Sequence, residues 1–469
     1  MRRTKIIATI GPATESPESL DALMAAGVDV ARLNASHAGP SELAERLEQV
    51  RTASERAGRR VAVMLDLAGP KLRVGEVAED TRLEPGSEFT LTTGECVGDA
   101  ARACVTYEGF AADVKRGDRV LLDDGRIELE VTERSDGDVL TVVRQGGPLT
   151  SHKGVNVPGV RLGIDPVTRF DRAMAEWAAA KHVDYVAQSF VRETNDIHRL
   201  RQLLRDENIP IVAKIEKYEA VENINGIIGA ADAVMVARGD LGVETSVEQV
   251  PVLQREIIRR CRAAGRPVIV ATQMLESMTS APRPTRAEAS DVAAAIFQGV
   301  DAVMLSAETA IGRYPARAVA TMARIAETAE GAADPAPWDR RSGGDERDIP
   351  QAVSAAVCEL AEDLDLSAII TATQTGATAY AVARHRPAAP IVAVTPSQAV
   401  ARRLALVWGV QAVVLPVEAD EDPALQALVA GVRDAGFVRS GERVAITAGV
   451  ARGVPGGTDL ILVREVPGA

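Results

Sequence analysis

Short runs of aliphatic and β-branched residues alternate along the chain with longer segments of mixed polarity. The apolar runs predict strands at residues 5–10, 28–33, 61–67, 185–190, 211–215, 233–237, 268–272 and 302–305. A segment with a helical pattern follows each run, and the strands are apolar throughout, as in a parallel sheet covered on both faces. Eight strand–helix units are the number that closes a (β/α)8 barrel, also called a TIM barrel.

Two stretches interrupt this pattern. Between about 71 and 157 the chain is rich in Gly, Asp and Thr, and a turn at Asp124-Gly125 followed by alternating Ile127, Leu129 and Val131 predicts a hairpin. Residues 331–350 are dense in Pro, Gly and Asp and predict a linker. We therefore expect an α/β protein in four segments: a first barrel segment over 1–70, an inserted small β domain over 71–157, a second barrel segment over 158–335 and a C-terminal α/β domain over 336–469.

Composition narrows the class of protein. The 469 residues include 53 basic and 66 acidic ones, so the net charge of −13 argues against a general nucleic-acid or membrane-surface binder. The four cysteines form no CxxC pair and no zinc spacing: Cys96, Cys104, Cys261 and Cys358. No apolar run is long enough for a membrane helix, and the N-terminal residues do not resemble a secretory signal. We therefore expect a cytoplasmic protein with neither nucleic acid nor membrane as a partner.

Polar side chains follow six of the eight predicted strands, and the C-terminal ends of barrel strands share one mouth. Glu216 and Asp240 follow adjacent strands and offer two carboxylates for Mg²⁺. Lys214 precedes Glu216 by two residues and so faces the same side of its strand. Arg32 adds a planar guanidinium that can bind phosphate. This combination predicts a pocket that holds and transfers a phosphoryl group.

Several common nucleotide-binding and catalytic motifs do not occur in the sequence. There is no GxxxxGK[ST] or GxGxxG loop, so a nucleotide would not be bound in those ways, and neither HExxH nor GxSxG occurs. Two alternatives remain at this point. A metal-dependent barrel aldolase or lyase acting on pyruvate-like acids would bind no nucleotide. A non-catalytic metabolite sensor would have lost at least one of four polar residues at the strand ends: Lys214, Glu216, Asp240 and Thr272.

Seven segments in order resemble the pyruvate kinase family: residues 5–12, 32–37, 153–159, 214–216, 237–242, 271–278 and 282–288. The resemblance runs from the first strand to the end of the barrel, with the inserted domain in the same place, and is looser in the third domain. It implies transfer of the phosphoryl group of phosphoenolpyruvate to ADP, giving pyruvate and ATP, which is the last step of glycolysis. It also implies a homotetramer.

The resemblance also implies roles for individual residues. Glu216 and Asp240 would hold Mg²⁺, for which Mn²⁺ could substitute. Lys214, Arg32 and Thr272 would be catalytic and bind the substrate, together with the backbone N–H groups of Gly239 and Asp240. The ADP contacts would be residues at the barrel mouth and in the inserted domain, which would close as a lid: Asn34, His37, Arg73 and Lys153.

One position departs from the family pattern. Potassium-dependent members usually carry Glu where this chain has Lys71, and their monovalent ion rests near the residues that correspond to Asn34, Ser36, Asp66 and the carbonyl of Leu67. Lys71 would supply a tethered ammonium in that region, and two like charges about 4 Å apart repel by about 4 kcal/mol at an effective dielectric of 20. We therefore predict an enzyme that does not require K⁺.

The third domain carries Thr373-Gln374-Thr375-Gly376-Ala377-Thr378, where sugar-phosphate-activated relatives have a loop that holds a phosphate. Gln374 and Ala377 replace the Lys and Arg that often occur in that loop. A site for a phosphorylated effector in this domain would then use Arg402 or Arg403.

Overall fold

Three strands and two long helices open the chain in the computed structural model, which describes residues 2–204, 209–332, 349–415, 422–449 and 457–468. The strands are β1 (Lys5–Thr9), β2 (Val30–Asn34) and β3 (Ala62–Asp66), and the helices are α1 (Pro17–Ala26) and α2 (Pro40–Arg56). The side chain of Ser16 caps α1 by accepting the backbone N–H of Ser19.

The second strand begins two residues later than the sequence predicts. Gly27 ends α1 with φ of 107°, and the N–H of Val28 bonds back to the carbonyl of Leu23. Val28 therefore belongs to the helix end, because this reverse turn satisfies carbonyls of the last helical turn.

The inserted domain is a small β structure, called the lid below. Its elements are β4 (Arg82–Leu83), β5 (Glu88–Thr92), β6 (Arg102–Cys104), α3 (Phe110–Asp113), β7 (Arg119–Leu122), β8 (Ile127–Arg134), β9 (Asp138–Gln145), β10 (Gly147–Pro148) and β11 (Val155–Asn156). Six strands form one sheet in the order β11-β7-β8-β9-β5-β6, and β10 pairs with β4. The predicted hairpin is confirmed as β7 and β8, with Asp123, Asp124 and Gly125 at positive φ in its turn.

The chain then returns to the barrel. The remaining barrel strands are β12 (Tyr185–Gln188), β13 (Ile211–Ile215), β14 (Ala233–Ala237), β15 (Val268–Ala271) and β16 (Ala302–Leu305). The helices are α4 (Arg169–Ala180), α5 (Thr194–Leu203), α6 (Tyr218–Glu222), α7 (Ile224–Ala230), α8 (Arg238–Glu244), α9 (Val250–Ala264), α10 (Arg286–Phe297), α11 (Ala307–Ala310) and α12 (Pro315–Ala332). All eight strands are parallel and close in the order β1-β16-β15-β14-β13-β12-β3-β2, which confirms the predicted barrel.

Four strands end earlier than predicted at the barrel mouth: β1, β3, β12 and β15. In two of them the cause is visible: β12 ends at Gln188 and β15 at Ala271, because Phe190 and Thr272 have φ of 55° and 69°, outside the β region. At both residues the backbone turns sharply as it enters the barrel mouth.

The barrel interior follows a two-residue period along each strand. Residues such as Ile7, Val30, Met64 and Val212 fill it, while the alternate residues pack outward against the helices. Leu406 of the C-terminal domain joins this interior cluster, so that domain contributes to the barrel core.

The C-terminal domain contains a five-stranded sheet with helices around it. Its elements are α13 (Ile349–Asp363), β17 (Ala368–Ala372), α14 (Ala377–Ala383), β18 (Ile391–Thr395), α15 (Gln398–Arg403), β19 (Val410–Val414), α16 (Asp422–Asp434), β20 (Arg443–Ala448) and β21 (Leu460–Glu465). The order is β19-β18-β17-β20-β21, with only β21 antiparallel to its neighbour. This confirms the predicted α/β domain.

The four predicted segment boundaries stay predictions, and most of the predicted linker 331–350 lies outside the described residues. Among the helices in the described ranges of the chain, none combines the length and the apolarity that crossing a membrane requires.

Candidate active site at the barrel mouth

A buried carboxylate lies between two cations at the mouth of the barrel. Arg32 Nε is 2.7 Å from Asp66 Oδ2, and Lys214 Nζ is 3.2 Å from Asp66 Oδ1. Burial alone would raise the pKa of Asp66, but the charges of Lys214 and Arg32 hold it below its ordinary value. The two-residue period of each strand turns all three side chains inward.

Lys214 makes two further contacts that fix its ammonium group. Its Nζ lies 2.9 Å from Glu216 Oε1 and donates a hydrogen bond of 2.6 Å to Ser189 Oγ. Burial would lower the pKa of Lys214, but the carboxylates of Asp66 and Glu216 outweigh it and raise that pKa. The ammonium therefore stays charged where a phosphoryl group would need it.

Glu216 and Asp240 form a two-carboxylate site. Glu216 is 1% exposed, accepts the N–H of Phe190 at 2.7 Å, and has a pKa that is raised by burial and by the charge of Asp240. Mg²⁺ prefers oxygen ligands and is often held by one or two carboxylates plus substrate oxygens. The donor chemistry therefore fits Mg²⁺ or Mn²⁺. No group of three or more candidate ligands occurs within the described ranges.

Lys71 pairs with one of these carboxylates. Its Nζ lies 3.1 Å from Asp240 Oδ1. The sequence predicts instead that Lys71 stands near Asp66, but Asp66 forms its ion pairs with Arg32 and Lys214. Lys71 forms its ion pair with Asp240, whose side chain is 24% exposed.

Thr272 and Gly239 contact each other across the seventh and sixth strand ends. Thr272 Oγ1 accepts the N–H of Gly239 at 2.9 Å, and Arg238 Nη2 binds the carbonyls of Thr272 at 2.7 Å and Gln273 at 3.2 Å. Both residues of that turn have positive φ, which costs energy for non-glycine residues. Arg238 therefore holds the strained turn that presents Thr272.

The predicted nucleotide residues lie on both sides of the mouth. Burial and the charges of Arg73, Arg32 and Lys71 lower the pKa of His37, so these groups share one positive region. Arg73 Nη1 donates to the carbonyl of His152 at the base of the lid, and Arg73 pairs with Gly154 as an isolated bridge. This region favours a polyanionic ligand.

The remaining two predicted nucleotide residues make local contacts. Lys153 Nζ lies 2.8 Å from Asp123 Oδ1 within the lid. Asn34 Oδ1 accepts the N–H of Ser36 at 3.2 Å in the turn after β2. The structure thus places Arg73 close to His37, whereas Lys153 forms an ion pair with Asp123 of the lid.

A buried hydrogen-bonded group joins the lid to the barrel. Glu244 Oε1 accepts Asn156 Nδ2 at 2.7 Å and Lys217 Nζ at 2.6 Å. Asn156 ends the last lid strand, whereas Lys217 directly follows Glu216 and Glu244 lies one helical turn after Asp240. The attachment of the lid is therefore tied to both loops of the two-carboxylate site.

The sequence analysis missed two residues of the site. Ser189 is 2% exposed and also donates to the carbonyl of Leu67 at 2.7 Å. The two-residue period from Tyr185 and Ala187, both in the barrel interior, could have indicated Ser189. Arg238 lies in the segment 237–242 that resembles the family, but nothing in the sequence indicates its hydrogen bonds to the carbonyls of Thr272 and Gln273.

Three residues of the loop 373–378 line a cavity of about 1210 Å³ between the barrel and the C-terminal domain: Gln374, Thr375 and Ala377. Arg402 and Arg403 line it too, and Arg402 Nε pairs with Asp184 at 2.8 Å. Thr373 Oγ1 accepts the N–H of Gly376 and fixes the loop.

Comparison with known proteins agrees with this arrangement. The family model "Pyruvate kinase, barrel domain" matches residues 1–319, and "Pyruvate kinase, alpha/beta domain" matches residues 351–464. The pyruvate kinase of Geobacillus stearothermophilus is 45% identical over 472 residues, covering 99% of this chain and 80% of that relative. The pyruvate kinase of Clostridium acetobutylicum is 42% identical over 475 residues, covering 99% of this chain and 100% of that relative. The lyase and sensor alternatives do not agree with these matches, and the chain belongs to the pyruvate kinase family of glycolytic kinase enzymes.

Proposed function

We propose that the chain transfers the phosphoryl group of phosphoenolpyruvate to ADP, giving pyruvate and ATP, in a reaction that depends on Mg²⁺ and not on K⁺. The observation that carries the proposal is the position of Lys214, which contacts Asp66, Glu216 and Ser189 at the open end of the barrel. A permanently charged ammonium beside a two-carboxylate site is suited to phosphoryl transfer, which depends on positioning and charge stabilisation.

The basic side chains bind and neutralise the substrate. Arg32 holds the phosphate, for which its guanidinium is oriented by Asp66 Oδ2 at 2.7 Å and Thr9 Oγ1 at 3.0 Å. Lys214 stabilises the negative charge on the phosphoryl group and on the enolate oxygen that is left behind. The N–H groups of Gly239 and Asp240 bind the substrate carboxylate, which replaces Thr272 Oγ1 as the acceptor of the Gly239 N–H.

Thr272 acts where the enolate takes up a proton. Its hydroxyl stands beside the N–H of Gly239, and so next to the substrate carboxylate in this proposal. From there it orients the water that protonates the methylene carbon and gives pyruvate.

Glu216 and Asp240 hold Mg²⁺, or Mn²⁺ in its place. When bound there, the ion would supply a Lewis acid that neutralises charge on phosphate, carboxylate and enolate oxygens. The buried position of Glu216 keeps water away from this side of the site, which strengthens each electrostatic contact.

ADP binds between the barrel mouth and the lid. Asn34 and His37 contact it from the barrel, and Arg73 and Lys153 contact it from the lid base. Lid closure then excludes water during transfer. Glu244 supports this arrangement, because it connects Asn156 of the lid to Lys217 of the barrel.

Lys71 takes the place of the monovalent cation. Its ammonium brings a fixed positive charge to the barrel mouth, close enough to lower the pKa of His37, which follows Asn34 and Ser36 in the chain. Because Lys71 also pairs with Asp240, the same charge faces one of the two carboxylates that hold Mg²⁺ in this proposal.

Two further features complete the proposal. A phosphorylated effector binds the cavity lined by Gln374, Arg402 and Arg403, and the buried Nε of Arg403 has no hydrogen-bond partner among the residues that the structure describes. The chain assembles as a homotetramer in the cytoplasm, and Val247 (77% exposed) and Ile311 (64%) offer apolar surface for association.

Pyruvate formation from phosphoenolpyruvate and ADP tests the reaction, with Mg²⁺ present or removed by chelation. We expect activity with Mg²⁺, none after chelation, and a loss of at least about 1000-fold in kcat for Lys214→Met. Lys115→Met, an exposed lid lysine, is the matched control and should keep its activity. A Lys214→Met enzyme with full activity would contradict the proposal.

A further inference from the structure

Two of the four cysteines lie side by side in the lid. Cys104 is the last residue of β6, and Cys96 lies in the loop that connects β5 to β6. Cys104 Sγ donates to the carbonyl of Cys96 at 3.3 Å, so the two residues are in direct contact. Both residues are partly exposed and both are free thiols, whereas Cys261 is buried.

We propose that Cys96 and Cys104 form a dithiol site in the lid that closes reversibly to a disulfide on reaction with a low-molecular-weight disulfide. Phosphoryl transfer makes no use of these residues. The site is a point of covalent modification separate from the barrel mouth.

The surroundings of the pair permit closure. Gly75 leaves room for the thiol of Cys104, since a Cβ on Gly75 would stand 2.2 Å from Cys104 Sγ. β6 is the edge strand of the lid sheet and pairs only with β5 in that sheet. Val97, the neighbour of Cys96, is 68% exposed, so a small oxidant can approach. A connecting loop at a sheet edge can adjust to the specific geometry of an S–S bond.

The chemistry balances without any group from the active site. The thiolate of one cysteine attacks a sulfur of the small disulfide, which forms a mixed disulfide and releases one small thiol. The second cysteine then attacks the protein sulfur of the mixed disulfide and releases the second small thiol. The protein loses two hydrogen atoms, and the small disulfide is reduced to two thiols.

Closure would be felt at Arg73, because two hydrogen bonds join Arg73 to Thr106, two residues after the end of β6. The N–H of Gly75 donates to the carbonyl of Cys104 at 2.9 Å. The N–H of Thr106 donates to the carbonyl of Arg73 at 3.0 Å, and the N–H of Arg73 donates to Thr106 Oγ1 at 3.1 Å. Segment 104–106 therefore supports the backbone of Arg73, and this consequence rests on the proposed role of Arg73 in ADP binding.

Peptide mapping tests the site itself. The full-length chain is incubated with oxidised glutathione at mildly alkaline pH and analysed by mass spectrometry without reduction. We expect a loss of about 2 Da, a cross-linked 96–104 fragment, and reversal by dithiothreitol. Cys96→Ser, Cys96→Ala and Cys104→Ser should give no cross-link. A stable glutathione adduct as the only product, or a link to another cysteine, would overturn the proposal.

Steady-state kinetics tests the consequence. After oxidation we expect the KM for ADP to rise about threefold while the KM for phosphoenolpyruvate stays unchanged, and the Cys96→Ser enzyme treated in the same way should keep its KM for ADP. A cross-linked enzyme with an unaltered KM for ADP would overturn the link to Arg73. Arg73→Met distinguishes a failure of the proposed ADP role from a failure of the dithiol site. If this variant binds ADP normally, the proposed role of Arg73 is wrong. The peptide mapping still decides the dithiol site.

Discussion

Lys71 Nζ lies 3.1 Å from Asp240 Oδ1, so a charge at the start of the lid faces one of the two carboxylates of the proposed metal site. This pair connects two questions that would otherwise be separate, the need for a monovalent cation and the affinity for a divalent one. A substitution of Lys71 should therefore change both.

We expect Lys71→Glu to create a requirement for K⁺. The wild-type enzyme should be equally active in K⁺ and in tetramethylammonium salts, whereas Lys71→Glu should lose about tenfold or more of its kcat/KM without K⁺, because a fixed positive charge is replaced by a negative one. Initial rates in the two salts measure this. Lys115→Glu reverses an exposed lid lysine and should respond equally to both salts. A Lys71→Glu enzyme that is fully active without K⁺ would show that Lys71 does not replace the ion.

Ser189→Ala should lower kcat by about tenfold with little change in stability beyond the lost hydrogen bonds, because the Lys214 ammonium loses the hydroxyl that positions it. Steady-state kinetics and urea unfolding measure the two effects. Ser54→Ala is the matched control, since Ser54 Oγ is also buried and bonds to the carbonyl of Arg59, far from the mouth. Equal kcat values for the Ser189 and Ser54 variants would argue against a positioning role.

Glu244→Gln should destabilise the protein by about 3 kcal/mol, because Lys217 would keep a charge without its buried partner. The KM for ADP should rise as well, since Asn156 of the lid shares the same carboxylate. Urea unfolding and ADP saturation curves measure the two effects. Glu256→Gln removes an exposed pair with Arg259 and should change neither quantity appreciably. A destabilised Glu244 variant with normal ADP saturation would restrict Glu244 to a structural role.

Glu288 should make stability depend on pH. Its carboxylate accepts both the N–H and the hydroxyl of Ser277 and of Thr285, and although burial opposes this, these bonds lower its pKa below 4.5. A lowered folded-state pKa contributes stability that is present above the unfolded value and is lost as pH falls through the folded one. Glu288→Gln should therefore cost about 2 kcal/mol at pH 7, and this difference should shrink as the pH falls below 4.5. Urea unfolding at several pH values measures it, and a constant difference would contradict the assignment.

The sequence predicts the barrel because its signal is repeated eight times, once for each apolar run followed by a helix. The same two-residue period predicts the inward direction of Lys214, and one further application of it would have found Ser189. Arg238 and Glu244 could not be found in this way. Their partners, the carbonyl of Thr272 and the amide of Asn156, lie 34 and 88 positions away in the chain. Lys71 is a similar case, because its partner Asp240 lies 169 positions away in the chain.

The fourth barrel strand, β12, acts at both of its ends. Near its start, the hydroxyl of Tyr185 donates to the carbonyl of Arg403, which borders the cavity under the C-terminal domain. Just past its other end, Ser189 binds the ammonium of Lys214. Four residues of strand separate the two side chains by about 13 Å on the same face. Hydrogen bonds to both neighbouring strands hold β12 along its length. A ligand that displaces the backbone at Arg403 would act on Tyr185 at one end of β12, and the hydroxyl that binds Lys214 is at the other end.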